Sequence, residues 1–236
     1  MTSDKGQVTT DKKPMKTAIL SDIHGNFAAL KLVLDDIASR QVDRIICLGD
    51  LVDGGEENDA VVQEIRNWIS DFTPDSDALQ PTGFYAVRGN HDETNNCALL
   101  KDNQHWLKQL PETLIESDII FTHISPRPKK KAIKNGIEAW NVFDETPWRL
   151  SFIGHLHFPA MFGEVNEDLC EAHSYSVDEG IYQLDPTDRY IICFGAVGYP
   201  RGGGKFIRYG IFDAAANAVE FIKLSGPLLQ FWEELL

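Results

Sequence analysis

The sequence predicts an α/β fold, because strand-like and helical segments alternate in its first half and strand-like segments dominate its second half. Residues 17–22, 44–50 and 84–90 are short apolar runs, as expected of buried strands. Residues 25–39 and 58–70 lie between these runs and carry apolar side chains at helical spacing. A β-α-β-α-β order is typical of a parallel sheet that is covered by helices.

The second half consists of short apolar runs separated by turn residues, which indicates a more antiparallel sheet. These runs lie near residues 113–123, 149–154, 160–165, 181–184, 190–195, 205–213 and 217–224. Residues 125–148 interrupt the pattern and are a candidate lid or rim. We expect one domain over residues 15–236, preceded by a disordered polar leader over residues 1–14 and ending in a short helix over residues 226–236.

Composition and charge restrict the classes of partner. The chain has 236 residues and a formal net charge of −14, which repels polyanions at long range. We therefore expect no stable nucleic-acid partner, because such binding depends on neutralising phosphates. Four cysteines without a CxxC pair indicate buried free thiols in a reducing compartment, and no apolar run has membrane-spanning length. These features predict a cytoplasmic protein that binds no membrane, and they leave a homo-oligomer open.

Five polar motifs each come directly after a predicted strand. They are Asp22-Ile23-His24, Gly49-Asp50-Leu51-Val52-Asp53, Gly89-Asn90-His91-Asp92, Thr122-His123 and Gly154-His155-Leu156-His157. In α/β sheets, ligands bind beyond the carboxyl ends of the strands, so these five segments are expected to converge on one site.

The motifs supply seven candidate metal ligands, which are too many for one tetrahedral ion. They are Asp22, His24, Asp50, Asn90, His123, His155 and His157. Carboxylate, imidazole and amide donors together suit divalent Mn, Fe, Zn, Co or Ni. The set therefore predicts two ions that share a carboxylate. Such a pair, about 3.5–4 Å apart, forms a clamp for displacement at phosphorus.

In order and spacing, the motifs resemble those of the calcineurin-like metallophosphoesterase superfamily over about residues 17–213. That resemblance implies an αββα fold, in which two mixed sheets lie between helices. The segments His123-Ile124-Ser125-Pro126 and Gly195-Ala196-Val197-Gly198-Tyr199-Pro200-Arg201 are similar to elements of the small prokaryotic phosphoesterases related to diadenosine tetraphosphatases. The second segment departs from that pattern at Cys193, Phe194 and Ala196, which weakens inference about the substrate groups near it.

The resemblance also implies a role for each motif residue. The first metal would be held by Asp22, His24, Asp50 and His157, and the second by Asp50, Asn90, His123 and His155, with Asp50 bridging. His91 would be the general acid and Asp53 would orient it, while Arg88 would contact the substrate phosphate. The implied reaction is in-line attack by a metal-bridging hydroxide on a small phosphomonoester, phosphodiester or dinucleoside polyphosphate.

Three other functions are weighed against a small-molecule phosphoesterase. Asp53 is followed by Gly54 and Gly55 where phosphoprotein phosphatases usually have Asp-Arg-Gly, which counts against that class. A non-catalytic metal-binding scaffold is the second alternative, since a retromer subunit resembles this fold but serves as a binding protein. The complete ligand set together with His91 favours an enzyme. A nuclease is disfavoured by the acidic charge.

Two glycine-rich or basic segments have both an ordinary and a functional interpretation. Residues 201–205 lack the Walker spacing and predict a flexible hairpin, from whose edge Arg201 is a candidate substrate contact. The basic residues near 127–134 form a solvated loop or a rim that steers anionic substrate. Asp92 either supports His91 or caps a turn.

Overall fold

The computed structural model describes residues 15–69, 79, 82–164, 172–202 and 204–229. Twelve strands, numbered in chain order, lie in these ranges: β1 Lys16–Leu20, β2 Arg44–Cys47, β3 Gly83–Ala86, β4 Thr113–Glu116, β5 Ile119–Thr122, β6 Leu150–Ile153, β7 Ala160–Glu164, β8 His173–Tyr175, β9 Gly180–Gln183, β10 Arg189–Cys193, β11 Ile207–Asp213 and β12 Ala218–Leu224. The helices in the same ranges are α1 Phe27–Ser39, α2 Asn58–Trp68, α3 Asn90–Glu93, α4 Lys101–Gln109 and α5 Gly136–Glu145.

The first sheet has the order β3-β2-β1-β11-β12-β9. Strands β1, β2 and β3 run parallel, as the β-α-β-α-β order predicts. Strand β11 pairs antiparallel with β1, and β12 and β9 continue the sheet antiparallel. Three of the runs that we assigned to a separate second sheet therefore extend the first one, because β11 pairs with the edge of β1 that the parallel unit leaves open.

The second sheet has the order β4-β5-β6-β10-β7-β8. Its centre is parallel, since β6 pairs in this way with both β5 and β10, and only the outer strands are antiparallel. The sheet is mixed, as the resemblance implied, and the expectation of more antiparallel pairing in the second half is wrong only for β5, β6 and β10. The run near 113–123 is a hairpin that turns at Ser117, whose φ is 56°. Strand β8 has a polar sequence and was not predicted.

Three apolar clusters define the layers. The cluster between the sheets joins Ile19 and Ile46 of the first sheet to Phe121 and Phe152 of the second. A second cluster packs α1, α2 and α4 on the outer face of the first sheet, and a third packs α5 on the outer face of the second. This helix–sheet–sheet–helix arrangement confirms the predicted αββα fold.

The segment over residues 125–148 contains a helix that the sequence analysis missed. Helix α5 buries Ala139, Val142 and Phe143 against the second sheet, and the side chain of Asn135 caps it by accepting from the Glu138 backbone N–H at 3.0 Å. An asparagine before an apolar helical repeat was the available signal. Residues 136–145 thus belong to the helical layer, and residues 125–135 stay the candidate rim.

The predictions for the two ends of the chain and for the cysteines are only partly tested by the structure. The leader and residues 230–236 lie outside the described residues, as does Cys170, whereas Cys47 and Cys193 are buried free thiols as predicted. Residues 226–229 are not helical, because Asn26 donates to the Pro227 carbonyl at 2.8 Å and the Leu229 N–H donates to the Gly198 carbonyl at 3.0 Å. Within the described ranges no helix has the length and apolar character needed to cross a membrane.

Phe152 of β6 is the centre of the packing between the sheets, and its replacement by alanine should destabilise the fold. Its ring is fully buried and lies 5.3 Å from Phe121 and 5.4 Å from Phe212 of the opposite sheet. We expect Phe152→Ala to lower the free energy of unfolding by about 3–5 kcal/mol, as for other large cavities. Denaturant unfolding would measure this, with the exposed Ile181→Ala as control; equal losses in both variants would contradict the assignment.

Candidate metal centre

All five polar motifs meet at one end of the two sheets. This follows from the parallel strands β1, β2 and β3 of one sheet and β5 and β6 of the other, whose carboxyl ends face the same edge. The loops are joined directly: the Ile23 N–H donates to the Asp50 carbonyl at 2.9 Å, and the His155 N–H donates to the carboxylate of Asp22 at 3.1 Å. The predicted convergence is confirmed in both sheets.

The backbone at the strand ends adopts a conformation that side chains rarely allow. Of the nine non-glycine residues with positive φ in the described ranges, six belong to the motifs. They are Asp22, His24, Asp50, Asp53, His155 and His157, with φ between 52° and 73°. Such strain persists where the surrounding structure holds it and is concentrated at functional sites. Here it occurs immediately after β1, β2 and β6, where successive polar side chains belong to the site.

Glycines precede three of the ligand positions because the loops touch there. A Cβ on Gly89 would lie 2.1 Å from Asp50 Oδ1, and a Cβ on Gly154 would lie 2.1 Å from Ser21 Oγ. The glycine of each motif therefore allows one ligand loop to pass against the next.

Four donors form the first cluster, and their ligand atoms all lie within 4.8 Å of one another. They are Asp22, His24, Asp50 and His157, and all four are buried. Asp22 Oδ1 lies 3.1 Å from His157 Nε2, and Asp50 Oδ2 lies 3.7 Å from His24 Nε2. This is the set that the resemblance implied for the first ion.

The second cluster consists of Asp50, His123 and His155, so that Asp50 belongs to both. Asp50 Oδ2 and His123 Nε2 approach to 3.0 Å, yet their geometry does not make a hydrogen bond and neither atom has another partner among the described residues. The buried Oδ1 of Asn90 also lacks a hydrogen bond there. Because unpartnered buried polar atoms are costly, the two atoms of Asp50 and His123 fit a divalent ion as their common partner, and Asn90, which lines a cavity together with His123, is a candidate to join them.

Backbone carbonyls fix the orientation of three histidines. Nδ1 of His24 is bonded to the Asp53 carbonyl at 2.6 Å, that of His123 to Leu48 at 2.8 Å, and that of His157 to Tyr199 at 2.5 Å. A carbonyl only accepts, so each Nδ1 carries a proton, and Nε2 is the ring nitrogen that can bind a cation in the cluster. The sequence offered no signal for Leu48 or Tyr199, since only their backbone is used.

Charge and burial shift the protonation of these groups in opposite directions. Burial alone would lower the pKa of His123, but the neighbouring Asp50 raises it to about 9. Burial lowers the pKa of His155 to about 4, and the charge of His123 adds to this effect. Burial raises the pKa of Asp22, but the hydrogen bond and the charge of His157 outweigh it and lower that pKa. Without an ion, protonated His123 thus compensates part of the carboxylate charge, whereas His155 is neutral.

His91 and Asp53 form a pair at the edge of the first cluster. The carboxylate of Asp53 lies 2.7 Å from Nδ1 of His91, and both side chains are partly exposed, at 27% and 33%. The His91 ring lies 5.0 Å from that of His24, and its backbone N–H donates to Asp50 Oδ1 at 2.8 Å. His91 is therefore beside the clusters but belongs to neither, and the general-acid role implied for it stays a prediction.

Because Asp53 holds Nδ1 of His91, its replacement should affect turnover through His91 alone. We expect Asp53→Asn to reduce kcat by about 10–100-fold, the usual cost of losing an orienting partner. The Asp53→Asn/His91→Asn double variant should be no slower than His91→Asn. Steady-state kinetics of the three variants would test this. Independent, multiplying losses would show that Asp53 acts separately from His91.

The other predicted residues occupy three different environments. The Asp92 carboxylate accepts from the backbone N–H groups of Leu51 and Gly89, both at 2.8 Å, so its hydrogen bonds brace the two loops and not the His91 ring. Burial, reinforced by Asp50, raises the pKa of Asp92 to about 6. Arg88 faces a cavity beside Asn90, and Arg201 is exposed. The contacts of Arg88 and Arg201 with substrate stay predictions.

The layered fold and the two joined donor clusters define a metal-binding α/β protein. The family model of calcineurin-like phosphoesterases matches residues 15–195, and the chain belongs to this family. The members of this family are hydrolases of phosphate esters that use divalent metals.

Three similar proteins extend over nearly the whole chain. An uncharacterised protein of Methanocaldococcus jannaschii is 28% identical over 246 residues, which cover 93% of this chain and 91% of that protein. A metallophosphoesterase structure from Sphaerobacter thermophilus is 28% identical, covers 90% of this chain and 89% of its own, and superposes with a TM-score of 0.73. A hypothetical protein of Pyrococcus horikoshii, at 14% identity, covers 89% and 88% with a TM-score of 0.63 and shares the fold.

Proposed function

We propose that this protein is a hydrolase of small phosphate esters that acts with two divalent metal ions. The observation that carries the proposal is Asp50, whose carboxylate belongs to both donor clusters while the His91–Asp53 pair lies beside them. Candidate substrates are phosphomonoesters, phosphodiesters and dinucleoside polyphosphates. Mn, Fe, Zn, Co or Ni would suit the mixture of carboxylate, imidazole and amide donors.

Two groups of residues would take part in the reaction. The residues of the donor clusters would hold the ions, and His91 would transfer one proton. Two bound ions would lower the pKa of water and offset the charge of the phosphoryl group. With Nδ1 of His91 held by Asp53, Nε2 of the same ring is free to give its proton to the departing oxygen. Partial exposure of both side chains lets a substrate reach them.

The same residues argue against a scaffold that merely retains the fold. A non-catalytic scaffold does not require His91, oriented by the Asp53 carboxylate, beside the metal-ligand clusters, whereas a phosphoesterase does. Phosphopeptides are a less favoured substrate class, since Gly54 and Gly55 follow Asp53 where an arginine would serve phosphoproteins. The net charge of −14 likewise favours a small substrate over a nucleic acid, and we propose that the protein acts in the cytoplasm without a membrane partner.

A substrate panel would test the proposal. Protein stripped of metal and reloaded with Mn²⁺ would be offered a nitrophenyl monoester, a nitrophenyl diester, a cyclic nucleotide, diadenosine tetraphosphate and a phosphopeptide. We expect turnover of at least one of the first four, and its loss in a chelator. Absence of turnover with each suitable metal, while metal analysis finds the ions bound, would overturn the proposal in favour of a scaffold.

A further inference from the structure

A cavity lies beside the second donor cluster and contains Arg88 together with a lysine and two glutamates that have no role in the reaction above. Asn90 and His123 line its buried part. Arg88, Glu112 and Lys130 line the part nearer to solvent, where their side chains are 17%, 51% and 40% exposed. One cavity thus connects two residues of the candidate metal centre with two cations.

A single carboxylate holds both cations. Lys130 Nζ donates to Glu112 Oε2 at 2.7 Å, and Arg88 Nη2 donates to Glu112 Oε1 at 3.2 Å. The second Nη of Arg88 donates to the Lys108 carbonyl at 2.8 Å, which fixes the guanidinium in the cavity wall. The hydrogen bond and the charge of Lys130 lower the pKa of Glu112, so the carboxylate is an anion at neutral pH.

We propose that Arg88 and Lys130 form a subsite for a second phosphate group of the substrate, in which the Glu112 carboxylate is the internal anion that the phosphate displaces. This inference rests on the proposed function and specifies its substrate class. The substrates favoured by this subsite carry two adjacent phosphates, one at the metal centre and the next between Arg88 and Lys130.

Replacement of the Glu112 carboxylate by a substrate phosphate is favourable for two reasons. A phosphate has more negative charge and more acceptor oxygens than a carboxylate, and both cations can donate to it. Glu112 is 51% exposed and its partner Lys130 is 40% exposed, and exposed ion pairs contribute little to stability, so the carboxylate can leave at small cost. Glu93 also lines the cavity and balances the remaining charge. The formal charges of Arg88, Lys130, Glu93 and Glu112 sum to zero. Selectivity for a second phosphate therefore depends on its direct contacts with the two cations.

Binding of two non-hydrolysable ligands would test the subsite without relying on turnover. Methylphosphonate carries one phosphonate, whereas methylenediphosphonate carries two, and calorimetry would measure Kd for each with the Mn²⁺-loaded protein. We expect Lys130→Gln to raise the Kd of the diphosphonate about tenfold, the loss of one charge-assisted contact, and to change that of methylphosphonate less than about twofold. Glu112→Gln should lower the Kd of the diphosphonate. Lys129→Gln, in the same loop but outside the cavity lining, is the matched control.

The outcomes separate this inference from the proposed function. Equal effects of Lys130→Gln on both ligands, or weaker diphosphonate binding in Glu112→Gln, would overturn the subsite. If the ligand pattern holds and no phosphate ester is hydrolysed, the subsite stands and the proposed function fails. Hydrolysis together with unchanged diphosphonate binding in Lys130→Gln would leave the enzyme and remove the subsite.

Discussion

Replacement of His91 by asparagine should leave the metal content unchanged and reduce turnover of alkyl phosphate esters by about 10²–10⁴-fold, the usual contribution of a general acid. Its ring contacts Asp53 and belongs to neither donor cluster, so the ions keep their ligands. The backbone N–H that donates to Asp50 at 2.8 Å is retained in the variant. The loss therefore concerns proton transfer alone.

A comparison of substrates with different leaving groups would measure this effect most directly. A nitrophenolate departs readily without a proton, whereas an alkoxide does not, so His91→Asn should slow alkyl esters much more than nitrophenyl esters. Metal analysis and circular dichroism would confirm intact sites and fold. His105→Asn is the matched control, because His105 is exposed on α4 and hydrogen-bonds to the neighbouring Gln109 side chain. Equal slowing of both ester types would exclude His91 as the acid.

The candidate site could be predicted from the sequence because its residues follow strands directly. The pattern of a short apolar run and then Asp, Asn or His marks where a parallel strand ends, and parallel strands end at one edge. For this reason Asp22, Asp50 and His155 could be placed together although they are far apart in the chain. The backbone carbonyls of Leu48 and Tyr199 could not be predicted, since any residue can supply a carbonyl.

The sequence did not predict which strands belong to which of the two sheets. The periodicity of a strand reports which face is buried but not which neighbouring strand it pairs with, and β10 and β11 are both mostly buried. One enters the first sheet beside β1, and the other enters the second sheet beside β6. Long-range pairing of this kind depends on the packing of the whole chain. Helix α5 was missed for a different reason, because its start lies in a basic, turn-rich segment.

Asp50 is the residue whose loss should affect both metal positions at once. Its Oδ1 accepts from the His91 N–H at 2.8 Å, while its Oδ2 faces His24 at 3.7 Å and His123 at 3.0 Å without a hydrogen bond. In Asp50→Asn the amide oxygen can keep the contact with His91. The amide NH₂ then replaces Oδ2, and an NH₂ group cannot bind a cation. The substitution thus removes the shared ligand atom with little change of shape.

We expect Asp50→Asn to lower the metal content from two ions per chain to one or fewer. Turnover should fall about 10³-fold or more, because metal ions supply several kcal/mol of transition-state stabilisation. Metal content after dialysis and turnover would both be measured for each variant. Asp185→Asn, at an exposed turn, is the matched control. Removal of Asn90, which would serve only the second ion, should cost one ion and not both. Two fully bound ions in Asp50→Asn would show that the clusters do not depend on a common carboxylate, and the proposed pairing of the ions would then be wrong.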